Sequence, residues 1–398
     1  MVGQGPPYGR MPQSGILFDP QRGMPSRGLL PGKRSPMPKI LFTGFPGFLG
    51  TELLPRVLAR AAGADAVCLV QPKFAELARA KADELAAADP RLAGRIHLVE
   101  GDVTDANLGL AAPDELRRET VEVFHLAAIY DLAVAREPAI RVNVDGTRNV
   151  LRFAADCPDL RRFQYVSTCY VSGRYPGPFA ETDLVKGQTF NNFYEETKFL
   201  AEVKVQEWLE KGLPVTIYRP SIVVGDSRTG ATGKYDGPYY AIRFILKQPG
   251  IAFLPMFGEP ERTRVNVVPS DFVLAAIDYL SGRDESLGQV YQLADPDPLT
   301  VAEMVDVIGR AAGKRIVRVP SVKSLTQGAL AHVPFLERLT GIPPAVLDYW
   351  VHPTYYLTEN ARRDLAGTGI EVPPFPSYAE RLVEFVRAHP EVRSKAMA

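Results

Sequence analysis

The segment KILFTGFPGFLG, from Lys39 to Gly50, places a short apolar run directly before glycines spaced three residues apart. A helix-like stretch follows to about Ala62, so the predicted order is strand, tight turn and helix. In such a turn Gly44 permits the bend, Gly47 lets the backbone approach a pyrophosphate, and the third glycine allows close packing of helix on strand. The segment therefore predicts the first strand and the phosphate-binding turn of a dinucleotide-binding fold.

Apolar strands alternate with amphipathic helices downstream of that turn. Strands are predicted at Val67–Val70, Ile96–Val99, Val121–Leu126, Phe163–Ser167, Val215–Tyr218 and near Val290–Leu293, and helices at Phe74–Ala88, at about Ile140–Ala155, from about Thr300 and at Tyr378–Ala388. This alternation indicates a doubly wound α/β fold of the Rossmann type, in which helices cover both faces of a parallel sheet and ligands bind at the carboxyl ends of its strands. Pro55 falls inside the first helix and is expected to kink or restrict it.

Three regions follow from the composition along the chain. Residues 1–38 are rich in Gly, Pro, Arg and Met and are expected to form a flexible tail, because this composition cannot build a core of its own. Residues 39–225 carry the regular pattern of the Rossmann domain. The pattern then loosens, so residues 226–398 are expected to form a smaller substrate-binding lobe whose strands and helices partly return to the main sheet.

The overall composition excludes several classes of ligand. Lys plus Arg and Asp plus Glu number 46 each, so no net charge attracts nucleic acid or an anionic membrane. No apolar run reaches the ~18 residues that a transmembrane helix needs. Cys68, Cys157 and Cys169 lack metal-ligand spacing, which favours free thiols in a reducing cytoplasm and predicts no metal site. A small-molecule ligand held by a local cluster is the expected partner.

The residues after the second strand bear on the choice of cofactor. An acidic side chain there would bind the 2′-hydroxyl of NAD, whereas a basic one would favour the 2′-phosphate of NADP. This chain has Gln71 and then Lys73, so NADP is favoured over NAD. Asp102, after the third strand, is placed either to contact adenine or to cap a turn.

Tyr194 and Lys198, in NFYEETKFLAE, are four residues apart and share one face of a helix. An ammonium beside a phenol favours the phenolate, so Lys198 is expected to lower the pKa of Tyr194 and make it a general acid or base. Thr168 would donate a hydrogen bond to a substrate carbonyl, with Ser167 as the alternative because strand alternation turns only one of them toward the site. Asn143 either holds a helix turn or a water behind the lysine, or is simply structural.

These segments resemble the extended short-chain dehydrogenase/reductase superfamily over about residues 38 to 300. The pattern of that superfamily is a TGxxGxxG turn, an Asn-x-x-Gly-Thr helix, a Ser or Thr, and Tyr-x-x-x-Lys, and all four are present. A closer resemblance is to bacterial fatty acyl-CoA and thioester reductases of the NAD-binding, male-sterility type. The segments that carry it are HLAAIYDL (125–132), YVSTCYVSG (165–173), YRPSIVVGDSRTG (218–230) and GKYDGPYY (233–240).

The resemblance implies which residues surround the cofactor, with Tyr194 and Lys198 both touching it. It assigns Gly44, Phe45, Gly47, Phe48 and Leu49 to the pyrophosphate, Asp102 and Val103 to adenine, Ala127 and Ala128 to the ribose, and Arg219 and Pro220 to the nicotinamide. The chain departs from the reductase pattern at Gln71, where an Arg is common, so NAD stays the alternative cofactor.

The reaction implied by the resemblance is hydride addition to a thioester carbonyl, with Thr168 and Tyr194 stabilising or protonating the oxygen. The products would be an aldehyde and a free thiol, and a second hydride would give an alcohol. Six aromatic residues are expected either to line an acyl channel or to form the core of the lobe: Phe193, Tyr235, Tyr239, Tyr240, Phe244 and Phe253.

The sequence is also compatible with two other functions. The same machinery could act on a secondary alcohol or ketone, or on a nucleotide sugar. Alternatively, the chain could be a dinucleotide sensor without catalytic activity, although such proteins typically lose the Tyr or the Lys of the motif. A homodimer through helices of the main domain is an expectation of the resemblance alone.

Overall fold

Seven parallel strands form the central sheet of the computed structural model, which describes residues 37–320 and 348–392. The described residues contain these seven strands and six shorter-sheet strands, which pair two by two. In chain order all of them are β1 (Lys39–Thr43), β2 (Asp65–Val70), β3 (Ile96–Glu100), β4 (Thr120–His125), β5 (Arg162–Val166), β6 (Gly177–Phe179), β7 (Val215–Pro220), β8 (Ile222–Val224), β9 (Ile251–Met256), β10 (Val267–Pro269), β11 (Val290–Leu293), β12 (Arg315–Pro320) and β13 (Thr354–Tyr356). The sheet has the order β11-β7-β5-β4-β1-β2-β3, and each neighbouring pair is parallel. The order reverses between β1 and β4, which confirms the predicted Rossmann topology.

Helices cover both faces of this sheet. In chain order the helices of the described residues are α1 (Phe48–Arg60), α2 (Ala75–Ala88), α3 (Pro113–Glu119), α4 (Arg136–Ala139), α5 (Thr147–Ala155), α6 (Phe193–Glu210), α7 (Pro238–Lys247), α8 (Ser270–Ser281), α9 (Val301–Ala311), α10 (Glu359–Leu365) and α11 (Phe375–Ala388), of which α7, α9 and α11 belong to a second core. The helix predicted from Ile140 begins as a π-helical segment (Ile140–Gly146) that runs into α5. Helix α1 continues across Pro55 as one helix. Apart from residues 37 and 38, the predicted N-terminal tail lies outside the described residues.

The strands of the main sheet are buried on both faces. Phe42 of β1 packs with Leu54 of α1 and Ile277 of α8 on one side. Leu41, the preceding residue, packs with Leu151 of α5 on the other side, as strand alternation requires. A parallel sheet covered in this way needs apolar residues at consecutive positions, which explains the uninterrupted run that precedes the glycine turn.

The C-terminal part of the chain builds a second core and completes the main sheet. Helices α7, α9 and α11 pack around β9 in a cluster that includes the fully buried Tyr235 and Tyr239. β11 leaves this region to pair with β7 at the edge of the main sheet. The Glu181 carboxylate binds this strand to α10, because it accepts hydrogen bonds from the backbone N–H groups of Gln292 at 3.0 Å and Ala361 at 3.1 Å.

A buried histidine holds the point where the strand order reverses. Burial lowers the pKa of His125 to about 3, so its ring is neutral. The Thr147 hydroxyl donates to Asn143 O at 2.6 Å and therefore accepts from His125 Nε2 at 2.9 Å. His125 Nδ1 then accepts from the Thr43 hydroxyl at 2.6 Å. This chain of hydrogen bonds joins β1, β4 and α5, and it fixes the tautomer of the histidine.

The glycine turn brings β1 and α1 together without room for side chains. Gly44 has a φ of +92°, and a Cβ atom there would lie 2.8 Å from Ala127 N. A Cβ atom at Gly50 would lie 2.6 Å from Gly44 O. The predicted roles of these glycines in the bend and in helix packing follow directly from these distances.

We expect Gly44→Ala to lower the free energy of unfolding by more than about 1 kcal/mol, because alanine is strained at positive φ and its Cβ meets backbone atoms. Gly63→Ala is the matched control, since a Cβ atom there meets no atom within 4 Å. Urea denaturation of both variants measures the difference. Equal unfolding midpoints would contradict this account of the turn.

Candidate active site

A cavity of about 820 Å³ opens at the carboxyl ends of the strands, beside the reversal of the strand order. This is the position that the fold class predicts for a ligand. The predicted site residues in its wall are Gly44, Phe45, Gly47, Phe48, Leu49, Gln71, Lys73, Val103, Ala127, Ala128, Thr168, Tyr194, Lys198 and Pro220. Three further predicted residues, Asp102, Asn143 and Arg219, do not line it.

Asp102 and Asn143 hold the loops around the cavity. Asp102 accepts hydrogen bonds from Gln71 Nε2 at 2.7 Å and from the backbone N–H of Thr104 at 2.8 Å. Of the two roles predicted for Asp102, contact with adenine or capping of a turn, these contacts are those of a turn cap. Asn143 is buried, accepts from Ile129 N at 2.8 Å and donates to Thr197 Oγ1 at 3.0 Å. It thus ties the segment after β4 to helix α6, next to Lys198.

Arg219 is fully buried and faces away from the cavity. Its guanidinium donates to Glu202 Oε1 at 2.5 Å and 2.9 Å, and to the carbonyl oxygen of Asp183 at 2.9 Å. These contacts correct the prediction that Arg219 approaches the nicotinamide. A buried guanidinium needs a carboxylate partner, and that partner, Glu202 of α6, does not line the cavity.

Lys198 is anchored to the end of β5. Its ammonium donates to Tyr165 OH at 3.0 Å and to Val166 O at 2.8 Å, which leaves one N–H for a ligand. Burial lowers the pKa of Lys198 to about 7, and the negative charge of Glu202 opposes that shift.

The pKa of Tyr194 is shifted in the direction opposite to the prediction. Burial raises it well above its usual value, while a hydrogen bond with Thr168 works against that shift. The expectation that Lys198 would lower this pKa is wrong for the cofactor-free protein, because the ammonium is bonded to β5 and desolvation dominates. Tyr194 is therefore a protonated phenol at neutral pH, which suits a group that gives a proton to an oxygen.

Thr168 and Ser167 have separate partners. Ser167 Oγ donates to Glu202 Oε2 at 2.5 Å, so its hydroxyl is engaged by the buried carboxylate. The Thr168 hydroxyl donates to Pro220 O at 3.3 Å, and it lies close enough to Tyr194 to counteract the rise of that residue's pKa. It can turn from that carbonyl oxygen toward a ligand. The geometry thus favours Thr168 over Ser167 as the partner of Tyr194.

The cavity wall also contains polar groups that the sequence analysis did not select. Thr51 Oγ1, in the first turn of α1, and Ser221 Oγ, after β7, are buried and have no hydrogen-bond partner within the described ranges. The glycine turn and the N-terminus of α1 offer N–H donors to a phosphate at the same end as Thr51. These features fit a dinucleotide. The cavity is also lined by Tyr130, Lys234 and Asp236. The motif GKYDG (233–237) contains Lys234 and Asp236, so it is the sequence feature that could have indicated them.

This fold and cavity define a member of the extended short-chain dehydrogenase/reductase superfamily. A model of an NAD-binding family described as "Male sterility protein" matches residues 42–277 of the 398-residue chain. The chain belongs to this family and is an NAD(P)-dependent oxidoreductase. No helix in the described part of the chain is long and apolar enough to cross a membrane.

The curated relatives are longer proteins, and this chain spans only about a third to a half of the length of the two described below. Over 88% of its length this chain is 26% identical to the non-canonical nonribosomal peptide synthetase FrzA of Cladobotryum sp, of which it covers 36%. It is 26% identical over 60% of its length to the fatty acyl-CoA reductase wat of Drosophila melanogaster, of which it covers 53%. The solved terminal R domain from the myxalamid PKS-NRPS pathway is 27% identical, with a TM-score of 0.74 and coverage of 89% of this chain and 91% of that one.

We expect Lys198→Met to stabilise the cofactor-free protein in a pH-dependent way. The pKa of Lys198 falls from 10.5 to about 7 on folding, so the unfolded chain binds more protons between these values and the cost of burial disappears as the pH rises through them. Thermal unfolding at about pH 7 should therefore show a higher Tm for the variant, and the gain should shrink toward pH 10. Lys204→Met, on the exposed face of α6, is the control. An equal gain at both pH values would speak against a buried ammonium.

Proposed function

We propose that this chain uses NADPH to reduce a fatty acyl thioester to an aldehyde. The observation that carries the proposal is the pairing of a protonated Tyr194 phenol with the Thr168 hydroxyl in the wall of a cavity that continues along an apolar helix face. Such a pair supplies two hydrogen-bond donors to one oxygen, and the apolar face suits the tail of an acyl group.

The groups of the chain act on the substrate oxygen. When bound, the dinucleotide supplies a hydride to the carbonyl carbon. Thr168 and Tyr194 then donate to the oxygen on which negative charge develops, and Tyr194 gives up its proton to it. The resulting hemithioacetal returns its hydroxyl proton to the Tyr194 phenolate as the C–S bond breaks, which forms the aldehyde. The sulfur leaves as a thiolate and takes a proton from water to give the free thiol. The same two donors would serve a second reduction to the alcohol.

The apolar part of the cavity supports an acyl substrate. One face of α9 contributes side chains at helical spacing, and residues from neighbouring elements complete the wall. The residues are Val301, Met304, Val305 and Ile308 from α9, with Ala241, Val265 and Trp350. The six aromatic residues that could have formed an acyl channel lie elsewhere. Tyr235 and Tyr239 belong to the lobe core, whereas Phe193 and Phe253 are 41% and 54% exposed.

The choice of NADPH rests on two lysines. Lys73, two residues after Gln71, lines the cavity where the adenosine ribose is expected, and Lys81 of α2, which pairs with Glu84 at 2.7 Å, lines it as well. The nearby carboxylate of Asp102 is occupied by Gln71, so it is not turned toward a ligand. Two ammonium groups at this position suit a 2′-phosphate.

The relatives support a thioester without selecting its carrier. One of them is named a fatty acyl-CoA reductase, and the solved R domain comes from a PKS-NRPS biosynthetic pathway. Coenzyme A and carrier proteins present the acyl group on the same pantetheine thiol. The homodimer stays a prediction of the family resemblance.

The proposed reaction is tested by following NADPH consumption with a panel of acyl-CoA thioesters, aldehydes, ketones and nucleotide sugars. We expect turnover of long-chain acyl-CoA with release of free thiol, and we expect Tyr194→Phe to lower kcat by roughly 10²–10⁴-fold because it removes the acid. Cofactor affinity of this variant should stay close to wild type. Turnover of ketones alone, or tightly held NAD with no net NADPH oxidation, would favour the other enzymes of the superfamily.

The cofactor assignment has its own test. Lys73→Ala and Lys81→Ala should each raise the KM for NADPH by roughly tenfold while leaving the KM for NADH unchanged, because each removes one charged contact to the 2′-phosphate. Lys211→Ala, outside the cavity wall, is the control. Equal effects on both cofactors would remove the basis for NADP preference.

A further inference from the structure

Three side chains from two distant segments meet beside Tyr194. The ring of Tyr130, in the segment after β4, contacts the ring of Tyr194 edge-on, with centroids 4.9 Å apart and an angle of 80° between the planes. Lys234 Nζ lies 4.2 Å from the centroid of the Tyr130 ring, over its face. Asp236 pairs with Lys234 at 3.0 Å, and it lies close enough to Tyr130 for each residue to shift the pKa of the other. All of these residues line the cavity.

We propose that Tyr130, Lys234 and Asp236 are positioning residues for Tyr194. Tyr130 fixes the orientation of the phenol ring, and the Lys234–Asp236 pair sets the charge beside it. The proposal uses the reductase reaction of the preceding section only as a source of a measurable kcat, so any carbonyl compound that the enzyme reduces will serve.

The orientation part of the proposal follows from the contacts of Tyr194. The helix backbone leaves the side chain two torsions, so neighbours must fix the ring. Thr168 holds the hydroxyl end, while Lys198 is directed to β5. The T-shaped contact with the Tyr130 ring is then what stops the phenol from turning away from the substrate. Tyr130 is itself held at its face by Lys234 and lies close to Asp236.

The charge part of the proposal depends on the groups around the two phenols. Glu195 and Asp236 act on Tyr194, as negative charges that oppose its ionisation. The other titratable or charged groups near the two rings are Lys198, Lys234, Tyr165, Tyr170 and Tyr349. Glu195 is held by Asn191 at 2.9 Å and Lys198 by β5, so neither is part of the Lys234–Asp236 pair. A change at Lys234 or Asp236 therefore alters the field at Tyr194 and the contacts of Tyr130, while the hydrogen bonds that hold Glu195 and Lys198 stay in place.

The ring contact is tested with a pair of variants at Tyr130. Tyr130→Leu removes the aromatic edge and should lower kcat by on the order of 10²-fold, with cofactor Kd and Tm close to wild type. Tyr130→Phe keeps the edge and should lie much closer to wild type in kcat. Equal kcat values for the two variants, or a parallel loss of cofactor binding, would overturn the orientation role.

The charge pair is tested by variants with opposite expected signs. Lys234→Met removes a positive charge, so Tyr194 becomes a weaker acid, kcat falls and its alkaline limb moves to higher pH. Asp236→Asn removes a negative charge, so the alkaline limb moves to lower pH, and the double variant should lie closer to wild type than Lys234→Met does. If both single variants lower kcat and the double variant combines the losses, the pair is merely structural.

A direct titration separates this proposal from the identity of the substrate. Ultraviolet absorbance of the cofactor-free protein reports the ionisation of tyrosines at alkaline pH. Asp236→Asn should make one tyrosine ionise at lower pH than in wild type, and the change should vanish when Tyr194→Phe is added. A change that survives the added Tyr194→Phe would show that another phenol responds, and it would overturn the charge role even in an active thioester reductase.

Discussion

The main chain at Gly44 lies against the main chain of Leu126 and Ala127, and this contact determines where the rest of the site can lie. A Cβ atom at position 44 would come within 2.8 Å of the backbone on the other side, so β1 and β4 end at one fixed separation. The chain of hydrogen bonds from Thr43 through His125 holds the same junction from below. Because the strand order reverses here, the cavity opens at this junction, and β5 and β7 bring their polar residues to its edge.

Burial affects the ionisable groups of the cavity more than charge pairing does. Lys198 and Tyr194 lie one helical turn apart, yet each is shifted toward its neutral form, because each has lost its water. Tyr194 is an acid that stays protonated, and Lys198 is a base whose pKa is about 7, so the charge of a bound ligand can change the protonation of both. The phosphates of a dinucleotide would favour the charged lysine, and a developing oxyanion would attract the phenolic proton. Burial therefore sets the protonation states of the two residues, and a bound ligand would shift them toward the charged lysine and the ionised phenol.

The fold could be predicted from local sequence features, whereas several site contacts could not. The run of apolar residues before Gly44 and the glycine spacing are local features, and the structure confirms the strand and the tight turn that they predict. The pKa of Tyr194 and the direction of Arg219 depend on which groups share a buried space, and a sequence does not show burial. The contact of Tyr130 with Lys234 joins residues more than a hundred positions apart, so no short-range spacing could indicate it. The GKYDG segment was noticed as a motif, but its partner could not be named.

The edge strand β11 has a consequence for how the protein is made. β7 is complete at Pro220, but its hydrogen-bonding partner ends only at Leu293, so a nascent chain carries an open strand edge while the intervening segment is synthesised. Unpaired edges of buried, apolar strands are prone to pair with other chains. A chain that stops before β11 therefore exposes the edge of β7, and such fragments are expected to aggregate.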